Sequence, residues 1–419
     1  MALACLAMAL AAVHRVAFSV LALPIQAALG LSMPDMGRAH AALLLGYVLG
    51  QIPAGLLADR IGGAHLAAAG LFTWSAACLL FARVPAAANP LAALLVARAA
   101  LGLAQSCLMP AASALAARWF PPATRSRQTS TVYSAYSVGT VAGLALTPLV
   151  AQHVGWASTF TLFGLAGLAA AAATSLGLPT EGPTTAAAQP SQAAGQRAGQ
   201  GSSPWSKPSW ETVQHLGLLC FTHSVISWNF FILQSWLPTL LASLGLSHLP
   251  TIGLLSSLPW LATAIVSIAA GGLADRLQVV HGWSAVAVRR AMQLSATLGT
   301  GLSLLPLALP GAMLAPAAAM VALVAAVAFQ GLTYAGFHSY VQDVAPGSAG
   351  LVLAVTNSCG TLVGIGGNLV TGHLAASSWG YAGLFALTVA LQAASGVAWL
   401  AGAHGRQLAA QGREHGKAA

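Results

Sequence analysis

Gly55-Leu56-Leu57-Ala58-Asp59-Arg60 separates two apolar runs near the start of the chain, and it returns far downstream as Gly272-Leu273-Ala274-Asp275-Arg276. A second echo sets Gly139-Thr140-Val141-Ala142-Gly143, followed by His153 and Trp156, against Gly360-Thr361-Leu362-Val363-Gly364, followed by His373 and Trp379. The offsets nearly agree, at 216 residues for the Asp-Arg pair and 221 for the glycine motif. Two echoes at one spacing predict a duplicated unit. In a chain with 44 glycines the shared Asp-Arg pair carries more of that argument than the small residues do.

What surrounds the echoes is apolar. Of 419 residues, 57% are hydrophobic and 5% are charged, against roughly 25% charged in a soluble domain. Such a chain is an integral membrane protein, and its runs of about 20 apolar residues read as spanning helices. Polar breaks place twelve of them near 2–28, 40–58, 64–83, 90–117, 129–151, 155–178, 212–242, 251–275, 288–309, 315–339, 348–375 and 379–402. The predicted class is all-α, with six-helix bundles at 1–178 and 212–402, a linker at 179–211 and a tail at 403–419. The linker contains TEGPTTAAAQPSQAAGQRAGQGSSP, too polar and too rich in Pro, Gly, Ser and Gln to fold by burial. The duplication then relates two six-helix halves about an axis along the membrane normal. A secretory signal would carry its positive charge before the first apolar run, whereas His14 and Arg15 interrupt the middle of that run.

Charge orients this arrangement. Arg60, Arg118, Arg125, Arg127, Arg197, Lys207, Arg276, Arg289, Arg290, Arg406, Arg413 and Lys417 fall on one side, and only Arg38 and Arg83 on the other. The positive-inside rule puts the first side, with both termini, in the cytosol or its organellar equivalent. The net charge of +9 is scattered singly between apolar runs. No nucleic-acid-binding face is therefore expected. Five cysteines sit in five different segments without C-x-x-C spacing, and read as small buried hydrophobes.

Two arginines remain, both inside predicted spans. Arg98 lies in A-R-A-A-L-G-L-A-Q-S-C-L-M-P, Ala97 to Pro110, and Arg15 in the first run. A central arginine costs roughly 2.5–3.5 kcal/mol on insertion scales, which marks a functional position. Gln105 lies seven residues after Arg98, on nearly the same helical face, and is expected to share its cavity. Asp59, Asp275, Asp343, Glu181, Glu211 and Glu414 sit at or beyond the cytosolic boundary and Asp35 in an opposite loop, so no acid is central. The expected cavity is net positive and suited to phosphate or carboxylate oxygens. Tyr47, Tyr133, Tyr136, Trp228, Asn229 and Asn357 could add neutral hydrogen bonds there, or could equally serve helix packing. His14 is the remaining titratable candidate for coupling, with neutral packing as its alternative.

At the level of motifs the chain resembles a known family. G-x-L-A-D-R-x-G at Gly55–Gly62 resembles the signature loop of the major facilitator superfamily. G-Y-V-L-G-Q-I-P-A-G at Gly46–Gly55, R-W-F-P-P-A-T-R-S-R at Arg118–Arg127, W-L-P-T at Trp236–Thr239, V-R-R-A-M-Q at Val288–Gln293, Q-D-V-A-P at Gln342–Pro346 and T-N-S-C-G-T-L-V-G at Thr356–Gly364 narrow the match. These are similar to the anion:cation symporters, which include sodium/phosphate cotransporters and vesicular glutamate transporters, and most to the plant plastid phosphate (anion) transporters. The resemblance implies alternating access, a small anion bound by Arg15 and Arg98, a coupling ion such as H+ or Na+, no other cofactor, a monomer and a plastid membrane. A plastid location would imply a targeting segment outside this sequence. It also implies departures. His14 stands where plant-type relatives have an acid, Gln105 where the family has a glutamate linked to proton coupling, and Ile226 where relatives have a basic residue or histidine. Tyr340 and Val341 replace an Asn-His pair.

The Asp-Arg loops, Asp59 and Arg60 with Arg118 nearby and Asp275 with Arg276, are expected to latch the halves together and so gate access. Their alternative is a turn that only fixes topology. An enzyme would need a nucleophile and base or metal ligands at membrane depth, and no H-E-x-x-H, paired aspartates or G-x-S-x-G occurs. A non-transporting sensor on the same fold is the second reading.

Overall fold

The computed structural model describes residues 2–119, 125–177, 209–309, 315–345, 349–406 and 408. Residues 179–208 of the predicted linker, most of the tail and the side chains of Asp59, Arg118 and Tyr133 lie outside the described part, and the last three linker residues belong to the cap and first turn of the helix that follows. The described residues contain helices and no strand: α1 (Ala2–Val20), α2 (Ala22–Leu29), α3 (Met33–Ile61), α4 (Gly63–Leu80), α5 (Pro90–Gln105), α6 (Leu108–Trp119), α7 (Arg125–Gly177), α8 (Trp210–Ser243), α9 (Leu249–Val279), α10 (Ala285–Ala308), α11 (Pro316–Gln330), α12 (Phe337–Val344), α13 (Ala349–Ala375) and α14 (Gly380–Gly402).

These helices make twelve membrane passes. Nine helical stretches among the described residues are long and apolar enough to cross, and α1 with α2, bent by 52°, makes another pass. The 53 residues of α7 would run about 80 Å if straight, far more than one bilayer. Gly155, at φ 78 and ψ 163, folds that stretch back into two passes. The remaining pass is α10, which carries Arg289 and Arg290 near its start.

Turn chemistry repeats with the duplication. Gly30, Gly62 and Gly155 have positive φ, and Gly245, Gly282 and Gly380 recur at 215 to 225 residues further on. A side chain there would be strained, so both halves turn at corresponding corners. The spans carrying Arg98 and its counterpart also break alike. The fourth pass is interrupted between Gln105 and Leu108, and the tenth after Gln330, where a short 3-10 turn, Gly331–Tyr334, precedes α12.

The repeated glycine motifs set helix contacts. A Cβ at Gly139 would strike the Ala9 carbonyl and one at Gly143 would crowd Val13, so α7 lies directly on α1. In the other half Gly360 faces Ser227 and the His223 carbonyl, and Gly364 faces Phe231, so α13 lies on α8. Between halves, Gly37 on α3 meets Asn368 and Gly372 on α13, while Gly253 on α9 meets Leu144 and Pro148 on α7. With the termini inside, both of these tight contacts lie toward the outer side.

One predicted boundary moves. The second helix begins at Met33 instead of residue 40, because Ser32 caps it: its Oγ accepts from the Asp35 amide at 3.3 Å while Asp35 accepts from the Ser32 amide at 3.0 Å. Such a reciprocal box satisfies two of the free amides at a helix start. Asp35, expected in a loop, is therefore in the first turn, where it pairs with Arg38 at 3.0 Å.

Candidate anion-binding site

The one cavity of note among the described residues lies between the halves, lined by Arg15, Ser19, His40, Leu43, Leu44, Arg98, Phe231, Gln234 and Ser235. It comes from α1, α3 and α5 of the first half and α8 of the second. With its open mouth it holds about 240 Å³ not filled by protein.

Arg98 is held by small residues. A Cβ at Gly102 would overlap the Leu43 carbonyl and one at Gly46 the Ala99 carbonyl, so α3 and α5 pack backbone to backbone. That proximity brings Arg98 Nε within 3.0 Å of the Ala39 carbonyl, to which it donates. The guanidinium carbon sits 4.2 Å from the centre of the Phe18 ring, a cation–π contact. Arg98 is 2% exposed, and its Nη1 has no partner. His40 is 1% exposed with both ring nitrogens unpartnered, and packs edge-on to Phe18 and against Trp236. Arg15 lies 5.2 Å from the centre of the Tyr47 ring and 5.7 Å from that of Phe231. Among the described residues no ion pair involves Arg15 or Arg98.

The structure thus brings Arg15 and Arg98 into one cavity, with Tyr47 beneath Arg15. Other candidates lie elsewhere. Gln105 shares the Arg98 face as expected but not its cavity: its Nε2 donates to the Ala11 carbonyl at 2.9 Å, tying α5 to α1. His14 points away from Arg15, since adjacent helical residues project about 100° apart. Its Nε2 lies 3.0 Å from the Phe163 carbonyl, and its ring stacks on Phe163 against Gly167. It packs outside the cavity lined by Arg15 and Arg98. Trp228 donates to Thr388 at 3.0 Å and Asn229 to Gln330 at 3.1 Å, so both tie helices of the second half. Tyr136 is half-buried against the core, and Asn357 is half-buried on α13; neither lines the cavity.

At the loops, Arg60, Asp275 and Arg276 are exposed, and no ion pair involves them among the described residues. His40, Ser19, Gln234 and Ser235 were not singled out from the sequence. For His40 the signal was available, a histidine within an apolar span, but the late helix boundary placed it at the membrane edge.

Residues 3–368 match the family profile of the Major Facilitator Superfamily. The chain belongs to that superfamily. It is 33% identical over 398 residues to "Sodium-dependent phosphate transport protein 1, chloroplastic" of Arabidopsis thaliana, covering 92% of this chain and 75% of that protein. It is 30% identical over 405 residues to "Ascorbate transporter, chloroplastic" of the same plant, covering 94% and 72%. Among solved structures, a D-xylose-proton symporter superposes with a TM-score of 0.78 at 14% identity over 97% of this chain and 98% of that one. The inward open xylose transporter XylE from E. coli gives 0.69 at 13% identity, covering 94% of this chain and 93% of the other. At such identity these likenesses show the fold, and major facilitator membership makes the protein a multi-pass carrier and not an enzyme.

Proposed function

We propose that this carrier moves a small anion, inorganic phosphate or an organic anion such as ascorbate, across a plastid membrane by alternating access. One observation carries the reading: Arg98 Nη1 and both nitrogens of His40 are buried without partners beside Arg15, in a cavity without a carboxylate. An unpaired buried polar group costs about 1–3 kcal/mol, more when charged. An oxyanion entering the cavity would accept from Arg98 Nη1 and from whichever nitrogen of His40 carries the proton. The names of the relatives support both the anion and the plastid.

The close contacts between halves cluster toward the outer side, and among the described residues no ion pair involves Arg60, Asp275 or Arg276, so we assign this conformation to the inward-facing state. Asp59, Arg60, Arg118, Asp275 and Arg276 would then engage when the cytosolic or stromal side closes. Gln105 has no proton to release, so potential drives transport, with H+ or Na+ as a secondary coupling ion. The carrier acts as a monomer without nucleic-acid partners. The replaced acid also favours a second reading, a sensor that binds the anion without moving it.

Uptake of labelled phosphate into proteoliposomes, with ascorbate and other anions as competitors, tests this. Arg98→Ala should lower uptake by roughly tenfold or more at unchanged expression. Uptake retained in that variant would remove Arg98 from the site, and binding without flux in the wild type would favour the sensor.

A further inference from the structure

A second group of ionisable side chains lies in the C-terminal half, away from the anion cavity. His223 on α8 is 7% exposed and its Nδ1 lies 2.8 Å from Thr356 Oγ1 on α13. Its ring meets that of His338 on α12 edge-on, with centroids 5.6 Å apart. His338 follows the break in the tenth pass, stacks on Tyr334 at 5.3 Å, and is only partly buried. Neither of its ring nitrogens has a hydrogen-bond partner among the described residues. Phe337 closes the other side of His223, with ring centroids 4.9 Å apart.

We propose that His223 and His338 form a shared proton-binding site that couples protons to transport. This rests on the reading of the chain as an anion carrier. His223 precedes Phe231, a wall of the anion cavity, by eight residues. That spacing is about 12 Å of helix, toward the cytosolic side. The first proton bound at this separation is felt by both imidazoles, and a second binds only against its charge. An ionisable pair at membrane depth is a functional candidate in its own right.

The surrounding groups leave the pair to itself. On α8, His215 is bonded to Tyr340 of α12 at 3.0 Å, and Cys220 faces Cys359 of α13. Tyr334 belongs to the stack. Asp343 of α12 is ion-paired with Arg289 of α10 at 2.9 Å, and Arg290 donates to the Leu400 carbonyl. No carboxylate among the described residues is bonded to either imidazole. Histidine is also the side chain whose charge changes between about pH 5 and 8. The pair joins α8 to the segment beyond the break in the tenth pass, so its charge acts on a contact between two helices of the C-terminal half.

The test uses the full chain in proteoliposomes with the membrane potential clamped at zero and labelled phosphate as the probe. An imposed pH gradient should stimulate wild-type uptake several-fold. His223→Gln and His338→Gln should lose that stimulation while keeping phosphate exchange within about twofold of wild type. His14→Gln should keep the stimulation. Stimulation that survives in the His223→Gln/His338→Gln double variant, or phosphate flux in the wild type that ignores the gradient, overturns the proposal. If the wild type moves no phosphate at all, the anion reading fails for phosphate, and the proton site is judged by NMR of histidine-labelled protein in micelles. A titration shared by two imidazoles and lost in His338→Gln supports the site, whereas no such titration between about pH 5 and 8 overturns it.

Discussion

Arg98 and Arg15 show how much a single buried charge constrains. Each is placed by its neighbours on a helix, but direction decides function: Arg15 enters the cavity and His14, one residue earlier, turns into the packing against Phe163. His14→Ala should therefore act on stability. Removing that buried ring leaves a void worth about 2–5 kcal/mol, so the melting temperature in detergent should fall clearly while the affinity for phosphate stays within about twofold. A large loss of affinity at unchanged stability would return His14 to the site.

At the scale of helices, Gln105 and Gln330 have corresponding tasks. Each ends a helix at the break of a pass, and each donates through Nε2 to a backbone carbonyl, Ala11 on α1 for the first and Ile226 on α8 for the second. The two partners are 215 residues apart and the two glutamines 225, close to the spacing of the sequence echoes. The glutamines pin broken helices to the helices beside them. Gln105→Leu and Gln330→Leu should each lower stability by about 1–3 kcal/mol, since each removes a tie between a broken helix and its neighbour, and Gln330→Leu should cost more because it also takes the acceptor from Asn229 Nδ2. Shifts in both thermal melts would support the correspondence; an effect confined to Gln105 would leave it a local matter.

For the whole molecule, the halves meet most tightly where α3 touches α13 and α7 touches α9. Gly37 and Gly372 allow the first contact without any side chain between the backbones. Gly372→Leu should wedge this side apart and favour the opposite state, by a population shift that needs only a small differential energy. Spin labels at positions 60 and 276, both exposed here, should then move closer together, and uptake should fall while phosphate binding persists. An unchanged distance would mean that the outer contact does not hold the state.

Much of this molecule was legible in its sequence. Apolar run length, the Asp-Arg echo and charge asymmetry determined an all-helical, twelve-pass, duplicated membrane protein, because the bilayer admits few alternatives and every span must satisfy its own backbone; that it is a carrier was legible only through its family motifs. Arg15 and Arg98 were legible for the same reason, as charges that hydrocarbon does not tolerate idly. Only tertiary structure decided which polar neighbours share their cavity. Helical spacing put Gln105 on the Arg98 face, yet Gln105 is bonded to the Ala11 carbonyl of α1, outside the cavity that Arg98 lines. Sequence distance likewise could not reveal His40, whose depth depends on the Ser32–Asp35 cap two turns earlier, nor the His223–His338 contact, which unites passes more than a hundred residues apart. A helix pattern states which residues can face inward, whereas what they meet there is set by the neighbouring helices.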